Sequence, residues 1–508
     1  VILISGTPAG PRRSASLLRV DLTGFYISEF TCFFGLSILL AVLNYLALRV
    51  SEGFLLIGLM ASLLFAVLST QISLFWILIG LVFNNLFVSL ALDGSSDTEK
   101  FGLVRGAPFL YLLSSGIPLC AIHFGRILKV AQGHAKIFYY IISWFILALV
   151  YFVYGISTSG FQSAAAYFRN FVSMPLLFIV GAVVGWDVRH QTNAKLNILT
   201  VSIILYLCIE MFLPRQLYEF INYIEFSNLK DVSGRFYVDF DSLISQNEFT
   251  FFNQEWFSQI RLFRLVGPNL HSVSFGYLCA ILALQMVVVR KWHFVLALVI
   301  GIAAAGSKGA LILFAFPLIY LLLIRQNPFS ERKSFYLICV LIISYTLSAI
   351  ILGIDSGNYH VIGLLGGLKG LASNFLGHGL GAGGNLGTKA ISVFHGNTWD
   401  RVQQTGLNFG VESGVGVIAY QLGVFLFIPL GALFCIGIEL WELSRSLSRT
   451  PKPLYQSCAI AGIATLAILG NSFMQEEALF SPLAGGLVGL FAGMALAGAT
   501  RIKLFSAD

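Results

Sequence analysis

The chain has 508 residues, 57% of them hydrophobic and 11% charged, which is about half the charged share of a soluble domain; its mean hydropathy is +0.84. That balance excludes a soluble globular or nucleic-acid-binding protein, and the formal charge of +7 has to be divided between two sides of a membrane before it speaks of partners. All seven cysteines (Cys32, Cys120, Cys208, Cys279, Cys339, Cys435 and Cys458) fall inside apolar runs, so no disulfide framework or zinc-type spacing is present and they read as small core residues.

A helix needs roughly 20 apolar residues to cross a bilayer. Such runs lie at about 30–48, 53–70, 71–91, 107–124, 136–156, 171–187, 196–213, 270–289, 292–306, 308–324, 335–353, 414–440, 457–473 and 479–497. The sequence therefore predicts an all-α, polytopic transmembrane helix bundle of about 14 spans (12–14), a single integral membrane domain over 1–508. Arg12, Arg13 and Arg19 precede the first run, and another run follows it at once, so it reads as a first span rather than a cleaved signal peptide. The runs on either side of Gly306-Ser-Lys-Gly309 are short and read as a tight hairpin or a partly re-entrant element.

With the N-terminus inside, eighteen basic residues fall on inner segments, against five (Arg49, Lys100, Arg105, Arg169 and Lys308) on short outer links. Positive charge stays inside, so both termini are expected in the cytoplasm. Two long connections then fall on the outer, periplasmic side. The first, 214–269, is rich in aromatic residues from Phe249 to Phe263 and is expected at the lipid headgroup layer. The second, 354–413, is glycine-rich: fifteen glycines fall between Gly357 and Gly414, too many for a helix interior at roughly 0.5–1 kcal/mol each. No ionisable group falls at the centre of a span, since Glu29, Glu210, Glu439 and Lys308 lie near ends. That weighs against a proton-coupled pump or channel and leaves a facilitator or flippase open.

Several outer residues have the chemistry of a site. Arg261 and Arg264 are three apart, so on a helical turn they face the same way, just before the break at Gly267-Pro268. Two guanidiniums at a water boundary suit a phosphate or pyrophosphate; they also suit plain snorkelling at a helix end. Lys308 stands at a helix start, against the charge bias, where anions are favoured; a solvated turn lysine is the alternative. Arg169 reads as an interfacial anchor or a further ligand. His378, His395, Asp400, Arg401 and Glu412 are the polar groups of the glycine-rich connection; His378 can be a base or a donor, and Glu412 sits where a first helical turn stabilises a carboxylate anyway. No Asp-x-Asp, His-x-x-x-His or carboxylate cluster marks a metal site, and no cofactor motif is present.

Taken together, Arg264-Leu-Val-Gly-Pro-Asn269, Gly306-Ser-Lys-Gly309, Leu376-Gly-His-Gly-Leu-Gly381 and Glu412-Ser-Gly414 leading to Gln421-Leu-Gly423 resemble the O-antigen polymerase and O-antigen ligase family. Order and spacing match over about 260–425; elsewhere the likeness is only of apolar spans. Lys308 stands where the family more often has arginine, and Val402-Gln-Gln404 where it often has histidine, with His395 seventeen residues before Glu412. The resemblance implies a bacterial inner-membrane glycosyltransferase that acts at the outer face on polyprenyl-pyrophosphate-linked oligosaccharide. It would polymerise repeat units into O-antigen, capsule or exopolysaccharide by metal-independent inverting transfer, with a chain-length regulator and export proteins as partners. Arg264, Arg261 and Lys308 would then bind the donor pyrophosphate, while Glu412 or His395 orients or deprotonates the acceptor hydroxyl. A ligase passing the glycan to lipid A–core or protein fits the same motifs, and a lipid-linked-oligosaccharide flippase fits the same hydropathy. The run Gly377–Gly384 is then expected to let the 353–414 connection fold closely over the site as a lid and acceptor wall, with its His395-to-Glu412 half facing the acceptor sugar.

Overall fold

The computed structural model describes residues 29–94, 97–186, 191–230, 237–249, 262–326, 331–355, 358–384, 412–447 and 452–505. Helices dominate: α1 (Glu29–Arg49), α2 (Phe54–Leu68), α3 (Thr70–Leu90), α4 (Thr98–Ile122), α5 (Phe124–Gly133), α6 (Ala135–Ser159), α7 (Phe161–Trp186) and α8 (Gln191–Phe212) open the chain. Short helices α9 (Pro214–Phe220), α10 (Tyr223–Lys230) and α11 (Phe240–Gln246) follow, then α12 (Ser272–Val288), α13 (Trp292–Ala304), α14 (Lys308–Gln326), α15 (Glu331–Asp355) and α16 (Tyr359–Ser373). The last group is α17 (Gly414–Leu422), α18 (Phe427–Ser446), α19 (Lys452–Asn471), α20 (Glu476–Phe480) and α21 (Leu487–Phe505).

Eleven described helical segments are long and apolar enough to cross a membrane, and the shorter apolar helices α2, α12 and α13 stand where the remaining expected spans lie. The chain is an all-α, multi-pass membrane bundle. Large apolar side chains such as Met60 on α2, Val153 on α6 and Leu352 on α15 are exposed, as lipid-facing surfaces require. Cys208 is exposed as well, while Cys279, Cys435 and Cys458 are buried. The expectation of seven core cysteines thus holds only in part.

Helix starts differ from the apolar runs in an informative way. α4 begins at Thr98, capped by the Asp97 side chain accepting from Glu99 N, and α7 begins at Phe161. Both open with polar turns that a hydropathy reading assigns to links, so Arg105 and Arg169 lie inside helices. The shorter α13 and the full-length α14 are joined by a tight turn at Gly306, where φ is +62°.

At the centre α7 packs along α21 with their backbones in contact. Gly181 and Gly185 face Leu490 and Met494, while Gly489 and Gly493 face Met174 and Phe178. Small residues four apart on both helices permit this close crossing, the usual way membrane helices associate where lipid offers no hydrophobic drive.

The described parts of the two long connections are packed against the bundle. In 214–269 a two-residue strand β1 (Glu248–Phe249) pairs antiparallel with β2 (Leu262–Phe263), Glu248 opposite Phe263. Tyr218 stacks near Tyr223, Phe240 and Phe263 beneath it. In the second connection, the stretch Gly377–Gly384 threads between α6 and α17. Leu380 N donates to Tyr151 O, His378 N to Tyr420 O and Gly379 N to Gln421 O. Gly379 (φ +89°) and Gly381 (φ +84°) need the left-handed backbone, and a Cβ on either would collide with Gly155 or Ser163. This run is a packed strut; residues 385–411 of the expected lid lie outside the described residues.

Candidate functional site

A cavity of about 270 Å³ opens at the end of the bundle where α4, α7 and α12 begin and α8 and α19 end. Its walls come from α3 (Asn84, Asn85), α4 (Arg105), α7 (Arg169, Asn170, Ser173), Lys230 at the end of α10, Asn269 and His271 before α12, and Glu476, Glu477 and Phe480 to Leu483.

Arg105 and Arg169 are close enough for their charges to repel. A Cβ on Gly106 would come within 3.3 Å of Arg169 Nη1, so the Arg169 head lies against the α4 backbone beside Arg105. Arg169 Nε donates to Asn170 Oδ1 (3.3 Å). Among the described residues, no carboxylate forms an ion pair with either arginine. Two like charges held together in a half-buried cavity cost free energy in the empty protein, and an anion repays it. Lys230 adds a third cation, its Nζ donating to Leu270 O (3.0 Å).

The motif before α12 is fixed from below by a carboxylate. Glu210, fully buried at the end of α8, accepts from Tyr218 Oη and from the backbone N–H groups of Val266 (2.7 Å) and Gly267 (3.0 Å). That anchor holds the turn at Gly267 (φ +64°) and Leu270 (φ +51°). It delivers Asn269, whose backbone oxygen accepts from Asn85 Nδ2 (2.7 Å), and His271, which caps α12 by accepting from Ser274 N. The charges of Lys230, Arg105 and Arg264 all act on His271.

The opposite wall is the break between α19 and α21. Glu476 is buried, and its Oε1 accepts from Tyr167 Oη (2.7 Å). Glu477 is less enclosed; burial raises its carboxyl above the ordinary glutamate range, while its own backbone N–H and the charge of Lys230 pull it down.

Of the residues singled out in the sequence, Arg169 lines this cavity, as does Asn269 at the end of the Arg264–Asn269 motif. Arg261 and His395, with Asp400 and Arg401, lie outside the described residues. Arg264 stands just behind the wall with its guanidinium over the Phe249 ring (5.3 Å). Lys308 begins α14 and is exposed, on the flank where Gly309 meets Gln475 and Tyr277. Glu412 lies beside His360, with Oε2 at 3.5 Å from Nδ1, and its backbone oxygen accepts from Glu476 N (2.7 Å). It is therefore next to the cavity wall without lining it. The His378 ring stacks on Tyr420 at 4.1 Å, and its Nδ1 is 3.0 Å from Tyr420 O. That ring braces the glycine strut.

The sequence reading passed over Arg105, Lys230, Glu476 and Glu477. The usable signals were the two arginines that broke the charge bias in short links, and an acidic pair in a gap between spans that carries no basic residue. Among the described residues, no three His, Cys, Asp or Glu side chains gather in a way that could hold a metal. A scan of protein-family models finds no match to the chain, and a search of curated proteins finds no relative.

Proposed function

We propose that the chain is a glycosyltransferase that joins polyprenyl-pyrophosphate-linked repeat units into a polysaccharide at the outer face of a bacterial inner membrane, with both termini cytoplasmic. The observation that carries this reading is the pair Arg105 and Arg169 in one cavity, free of carboxylate partners among the described residues. Paired guanidiniums grip a pyrophosphate through forked hydrogen bonds. In a half-dry cavity they stabilise the charge that grows on the leaving pyrophosphate as the sugar departs. Neutral amides and hydroxyls from Asn84, Asn85, Asn170, Ser173 and Ser274 line the remainder, a surface suited to sugar hydroxyls. The motif likeness at Arg264–Asn269 and Glu412–Gly414 supports the same reaction class.

The test is to substitute Arg105→Gln and Arg169→Gln, then measure polyprenyl pyrophosphate binding to purified protein and polysaccharide length on a gel. A lost charge-assisted contact is worth about 1.5–3 kcal/mol, so each variant should bind roughly 10- to 150-fold more weakly and shorten or abolish the ladder. Because the two charges repel, neither variant should be less stable than the parent. Parental binding and parental chain length in the double variant would refute the site. Single repeat units passed on to the acceptor mark a polymerase; long chains stranded on the carrier mark a ligase.

A further inference from the structure

Two carboxylates reach the cavity, and the structure gives them different work. Glu476 is committed: it is 4% exposed and its Oε1 is held by the Tyr167 hydroxyl, which ties the break to α7. Glu477 is the next residue, lines the same cavity, and forms no ion pair with Arg105 or Arg169. Its only hydrogen-bond donor among the described residues is its own backbone N–H. An acceptor-only group without a strong partner, in a cavity that also holds an arginine pair, is what a proton acceptor needs.

We infer that Glu477 is the general base that takes the proton from the acceptor sugar hydroxyl. This rests on the glycosyltransferase reading of the cavity and assigns to the break before α21 the role expected of Glu412 or His395. In the step, the acceptor O–H bond breaks and its proton passes to the Glu477 carboxylate. The freed oxygen pair forms a bond to the donor's anomeric carbon. The bond from that carbon to the phosphate oxygen breaks, and its electron pair leaves with polyprenyl pyrophosphate, held by Arg105 and Arg169. A base with a carboxyl raised by burial is better matched to a sugar hydroxyl than an exposed glutamate, and the charge of Lys230 acts in the opposite direction, favouring the carboxylate.

Glu477→Gln and Glu477→Asp separate this from a structural role. Each variant is purified in nanodiscs. Binding is measured with polyprenyl pyrophosphate alone, and transfer with lipid-linked oligosaccharide extracted from native membranes. The expected result is binding within about threefold of the parent and transfer lowered by roughly 10²- to 10⁴-fold in Glu477→Gln, with partial recovery in Glu477→Asp. The parent's rate should fall as pH is lowered through the carboxyl's raised range, and the residual rate of Glu477→Gln should lack that limb. The other charged and titratable groups lining the cavity, Lys230, Arg105, Arg169, His271 and Glu476, are unchanged in the variant. Parental transfer by Glu477→Gln, or a loss of binding equal to its loss of transfer, overturns the assignment. Failure of Arg105→Gln and Arg169→Gln to weaken binding instead overturns the underlying site, so the two failures are told apart.

Discussion

Substituting Gly493→Ala tests whether the α7–α21 crossing sets the geometry of the cavity. A Cβ at Gly493 would stand 2.0 Å from Phe178 O, 2.8 Å from Ala182 N and 3.0 Å from Phe178 C. Non-bonded contacts settle at about 3.5 Å, so α21 has to retreat by roughly 1.5 Å. All three atoms are backbone, so no side chain can rotate away. Overpacking usually costs about 1–3 kcal/mol, and the upper end, about 3 kcal/mol, is expected here. The consequence reaches the site because α7 carries Arg169 and the segment leading into α21 carries Glu477. A displacement of about 1 Å in a reacting constellation costs on the order of 10²-fold in rate. Unfolding of the purified protein in mixed micelles, with transfer measured in parallel, gives both numbers. Gly181→Ala, whose Cβ would meet Leu490 O at 2.0 Å, widens the same seam. The double variant should thus lose less than the sum of the single losses. An unmoved unfolding transition with parental transfer in Gly493→Ala would refute the reasoning.

Three further outcomes follow from local geometry. A Cβ added at Gly35 on α1 would meet nothing within 4 Å, so Gly35→Ala should be neutral or stabilising by about 0.5–1 kcal/mol; a clear loss in the same unfolding assay would show that another helix or chain packs there. Glu210→Ala strands Tyr218 Oη and the N–H groups of Val266 and Gly267 at about 1–3 kcal/mol each; it should unfold far more readily than Glu210→Gln, and equal stability of the two would sink the anchor role. Burial lowers the His360 imidazole to about 4 from its ordinary 6.5, against a backbone contact with Glu412 that raises it. With the folded value depressed, the unfolded chain binds more protons between these values, so the stabilisation is complete above 6.5 and is lost as pH falls toward 4. The full span is worth about 3 kcal/mol, and His360→Gln should flatten that part of the pH–stability curve; an unaltered curve would refute it.

The bundle was legible because about twenty apolar residues in a row leave little choice. Three expected spans fall short of that length, α2, α12 and α13. What hydropathy missed were helix beginnings: Asp97 caps α4 and Phe161 opens α7 well before the apolar runs start, which moved Arg105 and Arg169 from links into helix walls. The site was legible only in fragments. Motif reasoning favours residues near one another in the chain, such as Arg261, Arg264 and Lys308, whereas the cavity joins Arg105 to Glu477 across most of the sequence. The glycine run was legible in part. Its composition shows that a backbone approaches something closely, and only the packing shows that the something is α6 and α17 rather than a ligand.

The distribution of charge also bears on the proposed choice of an enzyme over a carrier. A carrier that moves a pyrophosphate head across the bilayer needs neutralising groups along the whole crossing, or a cavity that opens alternately at both ends. The cavity's cations and carboxylates instead stand at one end, on the early turns of α4 and α7, the last residue of α10, the cap of α12 and the break before α21. At the other end the polar groups bond with one another: His134 Nδ1 lies 2.8 Å from Glu439 Oε1, His134 Nε2 lies 3.1 Å from Thr500 Oγ1, and Arg501 donates to Trp186 O. Between the two ends, α7 and α21 cross with their backbones in contact at Gly181, Gly185, Gly489 and Gly493, which leaves no polar route along that seam. One-sided charge in the cavity beside a tightly packed α7–α21 seam is in keeping with the proposed chemistry on a lipid-anchored substrate that stays on one face. Liposomes reconstituted with the protein should therefore extend a lipid-linked glycan without moving it to the opposite leaflet, and translocation without extension would reverse the choice.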